Sequence, residues 1–342
     1  MISELRRDPT SGSWVAIASA RSRRPSDFRI IHGEQKKGTC PFCYGNEHMT
    51  PPEILAIGRE TDAPNAEGWQ VRIVPNKFPA FSLDYGDSVD VDRDIEGQDG
   101  LYVSIPAVGI HEVLVETPEH DSTFGEHSER RIEDILTAMI IRFRALKQDK
   151  RIKYLQAFKN WGHAGGASLS HTHCQLIAVP IVPKIIQTEL DYARQHTDRT
   201  GRCLYCGIVE SEIEKGERVL NESQHFLAFC PYASKFPYET WIVPKRHNSA
   251  FEDISKDETA DLARMLRLVV RTFELAFDDV PYNIVWHTCP WNGDFSTYYH
   301  WHLELLPRLA TIAGFELGTG YYINPTAPEV AAAALRESMP KD

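Results

Sequence analysis

No stretch of the 342-residue chain reaches the eighteen or so consecutive apolar residues that a membrane-spanning helix needs. The segment from Met1 to Asp8 lacks the apolar run of a secretory signal, so a cytoplasmic location and no membrane partner are expected. Basic excess is missing as well. Lys and Arg number 37 against 48 Asp and Glu, a net charge of −11, which argues against a general nucleic-acid binder. Local arginines could still hold a phosphate, because a site needs local charge only. Cysteine is scarce, at seven residues, and disulfides are rare in the expected compartment, so the thiols need another explanation.

Four of the seven fall into two C-x-x-C pairs, Cys40-Pro-Phe-Cys43 and Cys203-Leu-Tyr-Cys206. Each pair opens a longer pattern. A lone His follows, in His120-Asp-Ser-Thr-Phe124 and again in His247-Asn-Ser-Ala-Phe251. Segments 131–147 and 257–277 then carry apolar residues at three- and four-residue intervals, the period of a helix. A β-rich stretch ends in H-x-H, His171-Thr-His173 and His300-Trp-His302. From lone His to first H-x-H His is 51 residues in one half and 53 in the other, so local pattern and long spacing agree. The chain reads as a duplicated module.

The first copy carries extra material, 77 residues between Cys43 and His120 against 41 between Cys206 and His247. The acidic stretch 82–100 is expected to hold the surplus as an exposed loop. A boundary fits best near 183–201, giving a catalytic module over 1–185 and a second over 186–342. Alternation in 71–74, 112–116, 175–179 and 240–243 predicts antiparallel strands with one buried face. The fold class is therefore α+β: two tandem modules, each an antiparallel sheet with a long helix.

Cys40, Cys43, His120 and His171, and likewise Cys203, Cys206, His247 and His300, make two closed sets of two thiolates and two imidazoles. Such sets suit structural tetrahedral zinc, with iron an alternative in the second site. A redox pair is the other reading of a C-x-x-C. His111 and His127 rival His120, but only His120 has a counterpart in the second half.

The chemistry concentrates in the segment from Asn160 to Gln175. Period two puts His171, His173 and Gln175 on one face of a strand. Gly162, Gly165 and Gly166 would let backbone amides approach an anion, and Gly166 and Ala167 are candidate substrate contacts. An imidazole beside such donors and the Ser168 hydroxyl is what attack on phosphorus would use, with His173 as nucleophile. The second half has Glu304 where the first has Gln175, and no Gly-Ala-Ser run, so one catalytic centre is expected. Trp161, Trp286, Trp291, Trp301, His163, His225 and His287 carry no assignment.

These residues resemble the galactose-1-phosphate uridylyltransferases, the transferase branch of the histidine-triad superfamily. The resemblance lies in Arg21-Ser-Arg-Arg24-Pro, the segment Cys40 to Glu53, Arg72-Ile-Val-Pro-Asn76-Lys-Phe-Pro, Thr117-Pro-Glu-His120, Asn160 to Gln175, and Phe315-Glu-Leu-Gly-Thr-Gly-Tyr-Tyr. It implies a double displacement in galactose metabolism. His173 takes a uridylyl group from UDP-glucose, and galactose 1-phosphate accepts it. It further implies that Gln175 and Ser168 donate to the phosphate, that Arg21 and Arg24 balance its charge, and that Asn160 lies near it. Asn76 and Phe78 would line the nucleotide pocket, zinc would sit on the first Cys/His set, and a homodimer would form with a C-terminal segment completing the partner's site. Thr172 and Cys174 stand where many members have Pro and Gly, and Ile323-Asn-Pro-Thr326 falls where some place a sugar-contacting Gln. The Gly-Ala-Ser-x-Ser-His-x-His-x-Gln form is similar to ADP-glucose phosphorylases as well, which pass an adenylyl group to phosphate. A reading of another class is a zinc-stabilised nucleotide-binding protein without catalysis.

Overall fold

The computed structural model describes residues 3–18, 28, 39–59, 63–84, 95 and 100–341. Its strands, in chain order, are β1 (Glu4–Arg7), β2 (Trp14–Ile17), β3 (Leu55–Ile57), β4 (Val71–Pro75), β5 (Ile110–Val115), β6 (Tyr154–Trp161), β7 (His173–Val179), β8 (Val219–Glu222), β9 (Phe226–Phe229), β10 (Thr240–Pro244), β11 (Tyr282–His287), β12 (His302–Pro307) and β13 (Tyr322–Asn324). The helices are α1 (Glu129–Leu146), α2 (Lys184–Thr200), α3 (Leu204–Lys215), α4 (Lys256–Ala276), α5 (Gly314–Thr319) and α6 (Pro328–Glu337).

Ten strands form one sheet in the order β3-β4-β5-β7-β6-β11-β12-β10-β9-β8, antiparallel at every pairing. The order within the first five strands is repeated, reversed in space, by the last five. Each half runs edge, second, third, fifth, fourth, and the halves meet where β6 pairs with β11. The chain is thus mixed α+β with a large antiparallel sheet, as its alternating apolar runs predict. A smaller sheet pairs β1 with β2 antiparallel and β2 with β13 parallel, tying the two ends of the chain together.

Two long helices cover one face of the large sheet. Helix α1 begins at Ser128, whose hydroxyl accepts from the Arg131 amide, with Glu129 in its first turn and Arg144 in its last, each suited to the helix dipole. Its buried Ile132, Ile135, Leu136, Met139, Ile140 and Phe143 form one stripe. Helix α4 starts from a reciprocal cap between Ser255 and Glu258 and packs against α1. Leu114, Cys174 and Leu176 from the sheet join both helices in the main core. Cutting a fully buried member such as Leu136 to Ala would cost about 3–4 kcal/mol.

Alternation along β7 then decides what faces the other side. Cys174, Leu176 and Ala178 point to the helices, so His173 and Gln175 point away from them. The polar stretch within 183–201 is α2, an amphipathic helix burying Ile186, Glu189, Leu190 and Ala193. Most of the expected loop 82–100 lies outside the described residues. After it, Leu101 and Tyr102 are exposed. No described helix is long and apolar enough to cross a membrane.

Candidate active site and metal centres

In the first half the Cys40–Cys43 turn faces two histidines brought from distant segments. Cys43 Sγ lies 3.2 Å from His120 Nδ1, and both sulfurs lie 3.6 Å from His171 Nδ1. The far ring nitrogens are held. His171 Nε2 donates to the Thr117 carbonyl at 2.8 Å, and His120 Nε2 lies 3.2 Å from Ser170 Oγ. In the second half Cys203 caps α3 and Cys206 sits in its first turn. Cys206 Sγ is 3.5 Å from His247 Nδ1 and 3.6 Å from His300 Nδ1, and Cys203 Sγ is 3.9 Å from His300 Nδ1. Their outer nitrogens donate to the carbonyls of Ser296 and Pro244. All four donor atoms of each set lie within 4.8 Å of one another, so each set could hold a metal ion. Fixing the outer nitrogen by a hydrogen bond and turning the inner one to the sulfurs is the arrangement that ligating imidazoles use. His111 and His127 lie in neither set.

His173 is buried beside Phe42 of the first C-x-x-C turn, with ring centres 5.5 Å apart. Its Nδ1 donates to the carbonyl of His171 at 2.8 Å. The proton is thereby committed to Nδ1, and Nε2 keeps its lone pair. Burial, aided by the nearby Lys159 ammonium, lowers the ring's pKa and keeps it neutral. A neutral imidazole with Nε2 unprotonated can act as a nucleophile.

Behind the strand, Thr172 and Cys174 point into the core and meet a buried ion pair. Lys159 Nζ contacts both oxygens of Glu116 at 2.7 and 2.8 Å and Thr172 Oγ1 at 2.6 Å. Cys174 Sγ donates to Glu116 at 3.0 Å, and His127 Nε2 lies 3.6 Å from it. Burial alone would raise the Glu116 pKa, but Lys159 and His127 outweigh it and hold the carboxyl far below its ordinary value.

Gln175 is oriented by a residue read from sequence only as a rival metal ligand. The Ala80 amide donates to His111 Nδ1, at 3.3 Å, so the ring proton sits on Nε2 and is given to Gln175 Oε1 at 2.8 Å. With its oxygen occupied, Gln175 presents its amide NH2 as a donor. Asn76 Nδ2 lies 3.1 Å from the same His111 nitrogen, and Asn76 Oδ1 accepts from the Phe78 amide. Gln175, His111, Asn76 and the strongly exposed Phe78 are thus gathered at one edge of β4, β5 and β7. Ser168 is exposed on the loop before β7, and Asn160, near the end of β6, accepts from Asn283 Nδ2 at 2.8 Å. Arg21 and Arg24 lie outside the described residues.

The glycine run needs a correction. The amides of Gly165, Gly166 and Ala167 donate to the carbonyls of Gly162 and His163, so they close the turn and do not face outward to an anion. The glycines are there for space and backbone freedom. A Cβ on Gly162 or Gly165 would come 2.9 Å from Pro281 or from the Tyr282 carbonyl, and Gly166 has φ +85°.

In the second half, His302 repeats the bond of His173, its Nδ1 donating to the His300 carbonyl at 3.2 Å. It is sealed beneath Tyr205 and Trp241, with ring centres 4.9 and 5.0 Å away. Beside it is a buried group that the sequence did not bring together, since its members come from α2, β11 and β12: Glu189, His287, His302 and Glu304, which could also hold a metal ion. Burial would lower the His287 pKa, yet Glu189 at 2.9 Å and Glu304 carry it up to about 9. Glu189, opposed by burial but facing His287, is held at about 2. His302 and Glu304 were noted in the sequence for other reasons and His287 was left unassigned, while Glu189 carried no signal.

Two family models match the chain: Galactose-1-phosphate uridyl transferase, N-terminal domain, over residues 1–183, and Domain of unknown function (DUF4921) over residues 125–341. An ADP-glucose phosphorylase of Arabidopsis thaliana is 36% identical over 98% of this chain and 92% of its own length. A galactose-1-phosphate uridylyltransferase of Thermotoga maritima is 32% identical over 98% of both. The crystal structure of an Arabidopsis thaliana ADP-glucose phosphorylase with bound ADP-glucose superposes with a TM-score of 0.83 at 33% identity, covering 98% of this chain and 99% of that one. A uridylyltransferase structure gives 0.75 at 29% identity, covering 98% of each. With a family model spanning more than half of it and relatives above 30% identity along nearly its whole length, the chain belongs to the galactose-1-phosphate uridylyltransferase family, a family of transferases.

Proposed function

We propose that the protein moves UMP from UDP-glucose to a hexose 1-phosphate through a covalent uridylyl-His173. The observation that carries this is the His173 ring, its proton given to the His171 carbonyl and its Nε2 left as an electron pair, in a member of this transferase family. In the first step Nε2 bonds to the α-phosphorus, and the bond from that phosphorus to the bridging oxygen breaks. Glucose 1-phosphate leaves with the electron pair. In the second step a phosphate oxygen of galactose 1-phosphate attacks the same phosphorus and the histidine is released unchanged. The Gln175 amide and the Ser168 hydroxyl donate to the non-bridging oxygens as charge builds. Arg21 and Arg24 balance the phosphates, Asn160 lies near them, and Asn76 and Phe78 border the nucleotide. Gly166 and Ala167 serve the substrate indirectly, by shaping the loop that carries Ser168.

The two Cys/His sets are proposed as structural zinc sites. Zinc with sulfur at about 2.3 Å and nitrogen at about 2.0 Å in a tetrahedron sets sulfur-to-nitrogen distances at about 3.5 Å, and the distances here run from 3.2 to 3.9 Å. Bound at the first set, such an ion would cross-link the C-x-x-C turn to the H-x-H segment and so fix the backbone that positions His173. Iron remains the alternative in the second set. The repeated strand order supports two tandem histidine-triad-like modules, 1–185 and 186–342. A cytoplasmic homodimer completes the reading. Exposed Phe78, Tyr102 and Leu317 supply apolar surface for it.

A second reading keeps the intermediate and changes the base: adenylyl transfer from ADP-glucose to phosphate. The 36% identity to an ADP-glucose phosphorylase favours it. Incubating the protein separately with UDP-glucose and ADP-glucose, each labelled in the α-phosphate, decides among the readings. Acid-labile label from UDP-glucose is expected, and label from ADP-glucose alone would install the second reading. Label from neither, on folded and metal-loaded protein, would leave a non-catalytic nucleotide binder.

A further inference from the structure

The two halves of the large sheet meet where β6 pairs with β11, and the candidate active site lies against that seam. Lys159 on β6 pairs with Cys174 on β7. Asn160 and His173, each one residue further along these antiparallel strands, therefore stand side by side with Cα atoms about 5 Å apart. On its other side Asn160 pairs with Asn283 of β11, which belongs to the second half. Tyr282 and Ile284 join the core beneath the helices, so alternation turns Asn283 to the same open face as Asn160 and His173. Both asparagines are half-buried there.

Asn283 Nδ2 lies 2.7 Å from the Gly165 carbonyl oxygen and 2.8 Å from Asn160 Oδ1. A backbone carbonyl can only accept, so the end of the Asn283 side chain that meets it is the NH2 group. The same NH2 gives its second hydrogen to Asn160, whose facing atom is therefore the oxygen. Asn160 keeps its own NH2 turned away from Asn283, and that group has no partner among the described residues. A Cβ added at Gly166 would stand 3.7 Å from Asn160 Nδ2, so this donor faces the loop that carries Ser168.

The anchor of this arrangement is held from both sides. The loop after β6 lies directly on β11, where a Cβ on Gly162 would come 2.9 Å from Pro281 and one on Gly165 2.9 Å from the Tyr282 carbonyl. The loop's amides close its own turn, so the Gly165 carbonyl is fixed where Asn283 meets it. The second half offers a comparison. His287 pairs with His302 as Asn160 stands beside His173, and Gln156 then takes the place of Asn283. Gln156 donates to the backbone carbonyls of Ala157 and Trp286, so the repeat does not by itself produce the clamp.

We propose that Asn283 is a positioning residue for transfer at His173. It fixes the Asn160 carboxamide with its NH2 toward the α-phosphate, where that group donates to a non-bridging oxygen. The second half, whose own H-x-H histidine is sealed beneath Tyr205 and Trp241, thereby serves the reaction by holding a donor of the first. The role rests on the proposed reading of His173 as nucleophile, while the two hydrogen bonds of Asn283 do not.

The test is single-turnover labelling of the metal-loaded full chain over a range of concentrations of the α-phosphate-labelled donor. Asn283→Ala should slow adduct formation at saturating donor by about tenfold, with the half-saturating concentration little changed. Asn160→Ala should slow it by about a hundredfold. The double variant should match Asn160→Ala within about twofold, because a residue that acts through another has nothing left to position. Asn283→Asp keeps the shape but can only accept, so it turns the Asn160 carboxamide round and should slow the adduct at least as much as Asn283→Ala. Being isosteric, it reads the same role where the smaller side chain unsettles the fold. A double variant about tenfold slower than Asn160→Ala would overturn the proposal, as would wild-type rates in both Asn283 variants. Failure of the function proposed above reads differently: no label from UDP-glucose or ADP-glucose on the wild-type protein itself, which removes the reaction that Asn283 serves.

Discussion

Lys159 and Glu116 form an ion pair with no solvent exposure on either side chain, and Thr172, between the two histidines of the H-x-H segment, bonds to both. The pair sits on the opposite face of the strand from His173, so it touches the ring only through its field and holds the backbone on which the ring rests. A buried charge pair that is fully hydrogen-bonded adds little net stability, but breaking it strands a charge. Lys159→Met should therefore cost about 3–5 kcal/mol in chemical denaturation. The double variant Lys159→Met with Glu116→Gln should recover a large part of that loss. If the double variant is no more stable than the single one, the pair is not what holds this segment.

His111 orients Gln175 and touches no metal set, so its removal separates two readings of the same residue. His111→Phe should slow formation of the His173 adduct by about tenfold to a hundredfold, the usual effect of a misplaced donor. Its metal content should match wild type. Loss of one metal equivalent in this variant would return His111 to the ligand role that its sequence position also allowed.

Metal is expected to contribute stability at both Cys/His sets independently. Cys203→Ser should lower bound metal from two equivalents to one by elemental analysis, lower the melting temperature by about 10 °C or more, and leave His173 labelling in the folded fraction. His171→Ala should also lose one equivalent, but with the adduct impaired, because His171 supplies the carbonyl and the backbone on which His173 rests. His173→Gly should abolish labelling with metal content near wild type. A reversed outcome for His171 and His173 would exchange their roles.

The two Cys/His clusters, which could each hold a metal ion, were legible because such clusters need particular residue types at particular separations, and because the chain presents the pattern twice. The long helices were legible for a related reason: Ile132, Ile135, Leu136 and Met139 repeat at the helical period, and the structure begins α1 two residues before the expected start. Residues that act through contacts between distant segments left no such trace. Glu116 and Lys159 are 43 positions apart, and Glu189 reaches His287 across 98. Each looked like an ordinary polar residue in an amphipathic run. The boundary placed near 183–201 falls on a helix because the apolar stripe of α2 ends at Ala193, while the helix continues in solvent to Thr200. The glycine run was noticed for the wrong property, since backbone amides look the same in sequence whether they face an anion or close their own turn.

Glu258 gives a pH test away from the proposed chemistry. Its carboxylate accepts from the Ser255 amide at 2.7 Å and from Arg246 at 2.8 Å, closing the cap of α4. Burial opposes ionisation, but Arg246 and Ser255 prevail and the pKa falls to about 2, against roughly 4.3 for a free glutamate. A carboxyl with a depressed folded-state pKa contributes stability that is complete above the unfolded value and vanishes as the pH drops through the folded one. Glu258→Gln retains an acceptor for the cap but loses the charge, so it should be less stable than wild type by about 1 kcal/mol at pH 6. That gap should narrow below pH 4.5 and close near pH 2. Because acid also displaces metal from thiolates and imidazoles, both proteins are compared at equal metal loading. A gap that stays constant from pH 6 to pH 2 would mean that the Glu258 charge contributes nothing to the cap.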